Sequence, residues 1–340
     1  MEKNFSYLGY PILKLNSSYL IYDINSGDVL SSTDYRSICE KLGKINPSQK
    51  SEKPNWAGLN FCLNFNCNLN CDYCSVNANK RSNIITEEII DAAIKYVIDK
   101  KNLKELKVTF TGGEPTLAID SIKYALNKLE AYPFKKVYLI NTNGVVSKEN
   151  LDYLLTKKFK FFISLDGTKE IHDAHRKKVS GEGSYEDVIS TIKYLRSKGA
   201  DVVLRSTLTK KTIKSLSKMI LLANKLDVRL LRVTNVMECG RASIGDTRTP
   251  SAKEYAEEFH NSLKLARSLN ILLVSSQFTN LFSPSINYCG TMAGSEIIVT
   301  PDGNLTSCFA SYKKGDIFSD FFIYGEYNSN LKMFIIESLE

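Results

Sequence analysis

The sequence predicts an α/β fold in which parallel strands alternate with helices. From about residue 57, apolar strand-like runs alternate with segments of helical periodicity. Units of this length place consecutive strands parallel, joined by right-handed crossovers, in an open sheet or in a partial or full barrel. The length of 340 residues fits about two domains, and 43% hydrophobic with 24% charged residues is the usual mix of a globular protein.

The pattern places each strand and helix along the chain. In the first helix, Ile85, Ile89, Ala93 and Val97 share one face, and Thr86 is placed to cap the amino end. The predicted strands are 58–65, 105–111, 136–142, 159–165, 201–208, 228–235 and 271–276. The predicted helices are 86–101, 117–131, 148–157, 184–198, 212–226 and 251–268.

Residues 1–50 are predicted as a separate β-containing appendage at the amino terminus. Residues 19–24 have the composition of a strand, a return strand begins at residue 29, and a short helix is predicted over 33–43. The polar, proline-containing stretch 44–55 is predicted as a linker.

The alternation of strands and helices ends after residue 276. Two strand-like runs, 295–300 and 304–308, flank Pro301-Asp302-Gly303, which supplies the fixed φ and the left-handed position of a tight hairpin turn. The apolar segment 331–336 is predicted as the beginning of a helix.

The charge and hydropathy of the chain limit the classes of partner. Lys and Arg number 45 and Asp and Glu 37, which gives a formal charge of +8. The basic clusters are short and lie at predicted element ends, so we interpret them as solvated surface and expect no nucleic-acid partner. No apolar run approaches the roughly 20 residues of a membrane helix, and the first residues lack a leader pattern. We therefore expect a cytoplasmic protein with no membrane partner.

Eight cysteines in a chain without a leader pattern indicate metal or redox chemistry rather than disulfides. Cys67, Cys71 and Cys74 are spaced CxxxCxxC directly after the first strand, at the edge where α/β folds place their sites. A zinc site normally takes four ligands, and no second CxxC occurs in the sequence. Three cysteines leave one position of a four-iron cluster open, as reactive chemistry requires. A structural zinc site and three unrelated core cysteines are the alternatives.

The cysteine motif, with Tyr73 before its last cysteine, resembles the signature of the radical S-adenosylmethionine (SAM) superfamily. Segments that resemble the superfamily's other landmarks follow in order within about residues 57–310, at 109–115 with its Gly-Gly-Glu-Pro, 141–144, 163–167 and 172–176. The resemblance implies a partial (β/α)6 TIM-like barrel over 57–276. It also implies a [4Fe-4S] cluster on the three cysteines, with SAM chelating the fourth iron.

The resemblance further implies a set of SAM contacts. Gly112 and Gly113 let the backbone approach a ligand that a Cβ would block. Glu114 accepts from the ammonium group of SAM, and the planar guanidinium of Arg176 pairs with its carboxylate. The complete set of expected contacts is Tyr73, Gly112, Gly113, Glu114, Asn143, Ser164, Asp166 and Arg176. The alternatives are a surface role for Arg176 and ordinary strand-end turns for Asn143 and Asp166.

Cys289 and Cys308 bracket the Pro-Asp-Gly hairpin and resemble the opening of a SPASM or twitch extension, whose cysteines hold auxiliary iron–sulfur clusters. We therefore expect residues 277–340 to form such a region and the two cysteines to bind an auxiliary cluster; two buried small hydrophobic side chains are the alternative. A denser cysteine run, which a full SPASM extension contains, is absent after Cys308, so we expect this region to be an incomplete form of the extension. Cys39 and Cys62 are expected in the core, and Cys239 is expected to be structural.

The implied activity is reductive cleavage of SAM to a 5′-deoxyadenosyl radical, which abstracts a hydrogen atom from the substrate. By resemblance, the substrate is a ribosomally made peptide or a protein, and the product a thioether or other crosslink, or an epimer. Residues 1–50 resemble the leader-binding regions of peptide maturases, with a simple cap on the barrel as the alternative. A flavodoxin-like or ferredoxin-like protein is the expected electron donor.

Three other functions remain open at this stage. The first is anaerobic sulfatase-maturase-type oxidation of a protein Cys or Ser, which uses the same chemistry. The second is a zinc-binding interaction module, which gives no reason for the Gly-Gly-Glu-Pro segment. The third is a SAM-binding scaffold that has lost catalysis.

Overall fold

The computed structural model contains two units, of which the larger holds Asn55–Ser276 with Gly290–Glu340 and the smaller includes Met1–Pro54. The residues described are 5–7, 10–15, 18–22, 29–32, 34, 36–37, 56–79, 83–99, 103–245, 247–275, 296–309, 311–312, 314–315 and 319–336.

The described part of the smaller unit is an antiparallel sheet in the order β1-β2-β3-β4. Its strands are β1 (Phe5–Tyr7), β2 (Tyr10–Leu15), β3 (Ser18–Tyr22) and β4 (Val29–Ser32). The structure thus contains the predicted strand and return strand as β3 and β4. The sequence did not indicate β2, because Pro11 argues against a strand. Most of the predicted helix over 33–43 and the linker over 44–55 lie outside the described residues.

Parallel strands in consecutive order form the centre of the larger unit. They are β5 (Trp56–Cys62), β6 (Glu105–Thr111), β7 (Lys135–Thr142), β8 (Lys160–Ser164), β9 (Asp201–Leu208), β10 (Leu230–Asn235) and β11 (Leu272–Ser275). The order β11-β10-β9-β8-β7-β6-β5 confirms the α/β prediction and the partial barrel. The carboxyl ends of all these strands therefore meet at one edge.

Helices connect these strands. They are α1 (Glu87–Ile98), α2 (Ile119–Glu130), α3 (Lys148–Thr156), α4 (Lys169–His175), α5 (Tyr185–Ser197), α6 (Leu216–Lys225), α7 (Arg241–Ile244) and α8 (Ala252–Ser268). The six helices predicted between the parallel strands are present, and Thr86 caps α1 as expected by accepting from Ile89 N. The short helices α4 and α7 are additions to the prediction.

The two faces of the sheet differ in polarity. On one face, Ile163, Leu204, Leu231 and Leu273 lie in register and are buried. Burying a side chain of this size stabilises the fold by roughly 1.5–3 kcal/mol. One residue further along each strand, the opposite face carries Ser164, Arg205, Arg232 and Val274, which are also in register but only partly buried or exposed. Since consecutive right-handed crossovers place the helices on one side, this polar row faces the barrel interior.

The C-terminal segment extends the same sheet beyond β5. Strand β12 (Glu296–Val299) pairs parallel with β5, and β13 (Asn304–Thr306), β14 (Ile323–Asn328) and β15 (Met333–Ile336) follow antiparallel. A short helix, α9 (Ser319–Phe322), precedes β14. The Pro301-Asp302-Gly303 hairpin is confirmed, with Gly303 at a φ of 81°.

The helix predicted over 331–336 is wrong, because Met333–Ile336 is strand β15 paired with β14. A short apolar run has the same composition in a buried helix and in a strand, and pairing with β14 decides between them. No described helix has the length and apolar character to cross a membrane.

Candidate metal and cofactor site

The three cysteines of the CxxxCxxC motif lie on one loop that follows the carboxyl end of β5. This cysteine loop, residues 63–79, is bonded to the last residue of α4 and to the segment that follows it. Asn70 N donates to Lys177 O (2.7 Å) and Asp72 N donates to His175 O (3.2 Å). The side chain of Asp72 also contacts His175 Nδ1 at 2.8 Å. These bonds fix the middle of the loop beside the carboxyl end of β8.

Asn79 ties the two ends of the cysteine loop together. Its Oδ1 accepts from Cys67 N (2.8 Å), and its Nδ2 donates to Leu69 O (3.0 Å). Asn79 has a φ of 75°, a left-handed conformation that Asn tolerates better than most residues. The Asn79 side chain therefore holds the end of the cysteine loop against the segment that begins at Cys67. The sequence did not reveal this role.

The thiols lie in a buried, hydrogen-bonded environment. Leu69 N donates to Cys67 Sγ and Ala78 N donates to Cys74 Sγ, both at 3.4 Å. Burial raises the pKa of Cys67 to about 12, with the Glu114 carboxylate adding to the shift. Burial also raises the pKa of Cys71 to about 11, against the opposing effect of the Arg176 guanidinium. The charges of Cys71 and Cys74 contribute to these shifts, so the three thiols are electrostatic neighbours.

The arrangement of the three thiols fits a four-iron cluster better than a zinc ion. Within the described ranges, no three His, Cys, Asp or Glu side chains converge closely enough to hold one metal ion. Tetrahedral zinc would bring thiolate sulfurs to about 3.8 Å of each other. Cysteines of a four-iron cluster bind different irons and stand further apart. Neighbouring thiols on one loop, with backbone N–H donors to sulfur, fit the cluster better than zinc.

Gly112 and Gly113 pack directly against the cysteine loop. A Cβ on Gly112 would lie 2.5 Å from Asn64 O, and one on Gly113 would lie 2.2 Å from Asn66 O. Gly113 N and Glu114 N donate to these two carbonyls at 2.9 and 2.8 Å. The close approach that the glycines allow is therefore to the backbone of the loop.

Glu114 is completely buried and anchors two strand ends. Its Oε1 accepts from Thr116 N, Thr116 Oγ1 and Thr142 Oγ1, and its Oε2 accepts from Asn143 N, at 2.7–3.1 Å. Burial raises the pKa of this carboxyl. Asn143 in turn places its Nδ2 3.5 Å from Cys67 Sγ and 2.7 Å from Asn68 Oδ1. The carboxylate thus positions the end of β7 against the cysteine loop.

Tyr73, Asp166 and Arg176 form a buried group beside Cys71. The Tyr73 hydroxyl and Arg176 Nε (2.7 Å) both donate to Asp166 Oδ2, and Thr207 N donates to Oδ1 at 2.9 Å. The guanidinium also lies over the Tyr73 ring, 5.3 Å from its centroid. Burial alone would raise the pKa of Asp166, but the Arg176 charge holds it below its usual range. Within the described part of the chain, the terminal nitrogens of Arg176 have no hydrogen-bond partner, which leaves them for a ligand.

A histidine that the sequence did not single out supports this group. Asp166 N donates to His172 Nδ1 (3.3 Å), His172 Nε2 lies 3.0 Å from Ser184 Oγ, and Ser184 Oγ donates to Arg176 O (2.6 Å). Burial and the Arg176 charge lower the pKa of His172 to about 4. Because Nδ1 accepts a backbone N–H, the neutral ring carries its proton on Nε2.

Gly240 and Arg241 cover the cysteine loop from the segment after β10. Arg241 Nε donates to Cys71 O (2.6 Å), Nη1 donates to Ala78 O (2.7 Å), and Arg241 N donates to Cys74 O (3.0 Å). A Cβ on Gly240 would lie 2.3 Å from Cys74 O. From the sequence, Gly240 and Arg241 are only a Gly-Arg pair after a strand. Their contact with the loop could not be predicted, because 167 residues separate Cys74 from Arg241.

The remaining cysteines occupy different places. Cys62 is buried with Phe65, Ile298 and Tyr312, as expected for a core residue. Cys308 is partly buried after β13, which runs back from the edge that carries the cysteine loop. Cys289, its expected partner, and Cys39 lie outside the described residues. Cys239 Sγ lies 4.0 Å from the carbonyl oxygen of Ser75, the residue that follows Cys74 in the cysteine loop.

Residues 63–223 match the family model described as the Radical SAM superfamily. This α/β part of the chain belongs to that superfamily, which uses a [4Fe-4S] cluster and SAM. Among curated proteins, the cysteine-type anaerobic sulfatase-maturating enzyme of Clostridium novyi is 29% identical over 178 residues, which cover 49% of this chain and 47% of that enzyme. The chain thus spans about half the length of the curated relatives that it matches first.

Solved structures share the fold. The structure of anSMEcpe with bound AdoMet and Cp18Cys peptide has a TM-score of 0.66 and 22% identity, and covers 80% of this chain and 77% of that chain. Streptococcus suis SuiB bound to precursor peptide SuiA has a TM-score of 0.58 and 17% identity, and covers 81% of this chain and 63% of that chain. At these identities the comparison shows a common architecture.

Proposed function

We propose that the protein is a radical SAM enzyme that modifies a ribosomally made peptide by hydrogen-atom abstraction. The observation that carries the proposal is the cysteine loop at the carboxyl end of β5, packed beside the buried Tyr73–Asp166–Arg176 group. Reduced cluster and bound SAM supply the electron and the sulfonium for reductive cleavage to a 5′-deoxyadenosyl radical. The residues of the chain bind and orient these groups.

The geometry supports distinct roles for the expected SAM contacts. Arg176 offers its terminal nitrogens to the SAM carboxylate, because Asp166 holds only Nε. Ser164, at the end of β8, is partly buried and has no hydrogen-bond partner among the described residues, so its hydroxyl is available to the same ligand. The other expected contacts position the cysteine loop and Arg176; they are Tyr73, Gly112, Gly113, Glu114, Asn143 and Asp166. Glu114 Oε2 accepts one hydrogen bond, from Asn143 N, and can accept another.

An auxiliary cluster is the second part of the proposal. Cys308 follows β13, within a segment whose sheet is continuous with β5, and Cys289 is its proposed partner in ligation. We expect the anaerobically reconstituted protein to be brown and to bind more than about four irons per chain. An iron content near four per chain would contradict the auxiliary cluster but would agree with the SAM cluster.

We propose that residues 1–50 bind the peptide substrate. The described strands β1–β4 form an antiparallel sheet whose outer strands, β1 and β4, offer backbone groups to an added peptide strand.

The remaining parts of the chain have separate roles in this proposal. The segment 57–276 is the catalytic barrel and 277–340 is the auxiliary region, with a flavodoxin-like or ferredoxin-like protein as electron donor. The similarity over 178 residues to a sulfatase-maturating enzyme favours a second candidate, oxidation of a protein Cys or Ser.

The proposal is tested by the reaction of anaerobically reconstituted protein with SAM and dithionite. We expect 5′-deoxyadenosine from the native protein and none from Cys71→Ala, because Cys71 is one of the three proposed ligands. Cys239→Ala is the matched control, since it lies behind the same loop and should retain the cluster. Bound zinc in place of iron would favour the interaction module. An intact cluster without 5′-deoxyadenosine would favour the scaffold that has lost catalysis.

A further inference from the structure

Two arginines lie side by side in the polar row of the barrel interior. Arg205 of β9 and Arg232 of β10 are direct cross-strand neighbours, and Ser164 of β8 is the neighbour of Arg205 on the other side. Arg205 is partly buried and Arg232 is exposed. The row continues the surface on which Ser164 lies, so the arginine pair adjoins the proposed SAM site.

The arginine pair lacks an acidic partner in the part of the chain that the structure describes. None of the ion pairs or hydrogen bonds found there includes either guanidinium. Asp166, a carboxylate of the neighbouring site, already accepts from Arg176, Tyr73 and Thr207. Like charges directly opposite each other on adjacent strands destabilise a sheet. The fold therefore maintains a local excess of positive charge that its described residues do not neutralise.

The electrostatics of Arg205 agree with this excess. Burial, together with the charges of Arg232 and Arg176, lowers the pKa of Arg205 to about 10. The opposing contribution comes from the Tyr312 phenol. A bound anion would relieve this repulsion. A planar guanidinium binds a carboxylate through two parallel hydrogen bonds.

We propose that Arg205 and Arg232 bind a carboxylate of the peptide substrate, either an Asp or Glu side chain or the C-terminal carboxylate. The proposal rests on the proposed function and adds a chemical requirement to its substrate. Arg176 is assigned to the carboxylate of SAM, so the arginine pair is free to bind a second anion. The position of the pair beside Ser164 would hold the substrate close to the SAM site.

The first test needs no knowledge of the substrate. The Arg205→Gln variant of the full chain, with its cluster reconstituted, should have a Tm about 2–4 °C above that of the native protein, because an uncompensated charge is removed. Arg229→Gln is the matched control. Arg229 directly precedes β10 and its guanidinium donates to Asp227 and Asn224, so its replacement should not raise the Tm. A lower Tm for Arg205→Gln would overturn the proposal, because Arg205 would then be a structural residue.

The second test uses three peptide probes with cluster and SAM bound. N-acetyl-Ala-Glu-Ala-amide carries only a side-chain carboxylate, N-acetyl-Ala-Gln-Ala only a C-terminal carboxylate, and N-acetyl-Ala-Gln-Ala-amide neither. We expect isothermal titration calorimetry to detect binding of at least one carboxylate probe and no binding of the neutral probe. The carboxylate probe with the higher affinity identifies the source of the carboxylate. Arg205→Gln and Arg232→Gln should each weaken this binding about tenfold.

Two results of the probe experiment would overturn the proposal. One is equal binding, or absence of binding, for all three probes to the native protein. The other is a loss of SAM affinity in Arg205→Gln as large as the loss of probe affinity, which would place Arg205 in the SAM site. Formation of 5′-deoxyadenosine by the native protein is measured in parallel, so a failure of the proposed function is seen separately.

Discussion

Replacement of Gly240 by alanine should displace the cysteine loop. The residue has φ 60° and ψ −128°, a conformation that is nearly confined to glycine and costs other residues about 1–3 kcal/mol. The added Cβ would lie 2.3 Å from Cys74 O and 2.4 Å from Ser75 O. A tolerable contact lies near 3.4 Å, so the loop must move by about 1 Å. Overpacking of this kind adds about 1–3 kcal/mol, and we expect a total loss of about 2–6 kcal/mol.

Calorimetry and iron analysis measure this effect. At about 2 °C per kcal/mol, a loss of that size lowers Tm by roughly 4–12 °C in a domain of this length. The displaced Cys74 should also reduce iron retention after anaerobic reconstitution. Gly245→Ala is the control in the same segment, because among the described residues its Cβ would contact only Arg241 O, at 3.5 Å, and its φ is −86°. If Gly240→Ala matched Gly245→Ala in both Tm and iron, the segment after β10 would not fix the loop as described.

Three further changes test other parts of the site. Glu114→Gln should lower the free energy of unfolding by about 2–3 kcal/mol in urea titrations, because an amide NH2 would face an N–H or hydroxyl donor; an unchanged midpoint would contradict the anchoring role. His172 has a folded pKa of about 4 against an unfolded value near 6.5, so the unfolded chain binds the proton first and stability falls as the pH drops between these values. Between pH 7 and 5 the native protein should lose about 2 kcal/mol more than His172→Gln, and equal losses would refute the buried neutral ring. Arg241→Lys keeps the charge but loses the fork that bonds two loop carbonyls, so iron loss to a chelator should accelerate; an unchanged rate would argue against this role.

The sequence predicted the parallel strands and long helices well because each has a clear apolar period. The boundaries of β6 and β9 agree with the predicted ranges, 105–111 and 201–208. Helix α4 was missed because its sequence, Lys-Glu-Ile-His-Asp-Ala-His, has little apolar periodicity. The wrong helix at 331–336 arose from the opposite difficulty, since an apolar run shows no period that separates helix from strand.

The motif residues of the site could be found from the sequence, but their partners could not. Gly112 and Gly113 were expected to approach a ligand, and only the three-dimensional path of the cysteine loop reveals Asn64 and Asn66 as the groups against which they pack. The same holds for Arg241, whose three bonds to the loop join distant parts of the chain. Long-range hydrogen bonds have no local sequence pattern, so these residues required the structure.

The parallel pairing of β12 with β5 has a practical consequence for dissecting the protein. Val299 of β12 pairs with Phe61 of β5, and Phe61 precedes Cys67 by six residues. Cutting the gene after β11 would strip the first barrel strand of its neighbour and leave its backbone amides and carbonyls as a template for intermolecular strand pairing. The barrel and the C-terminal hairpins should therefore be expressed and exchanged between homologues as one piece.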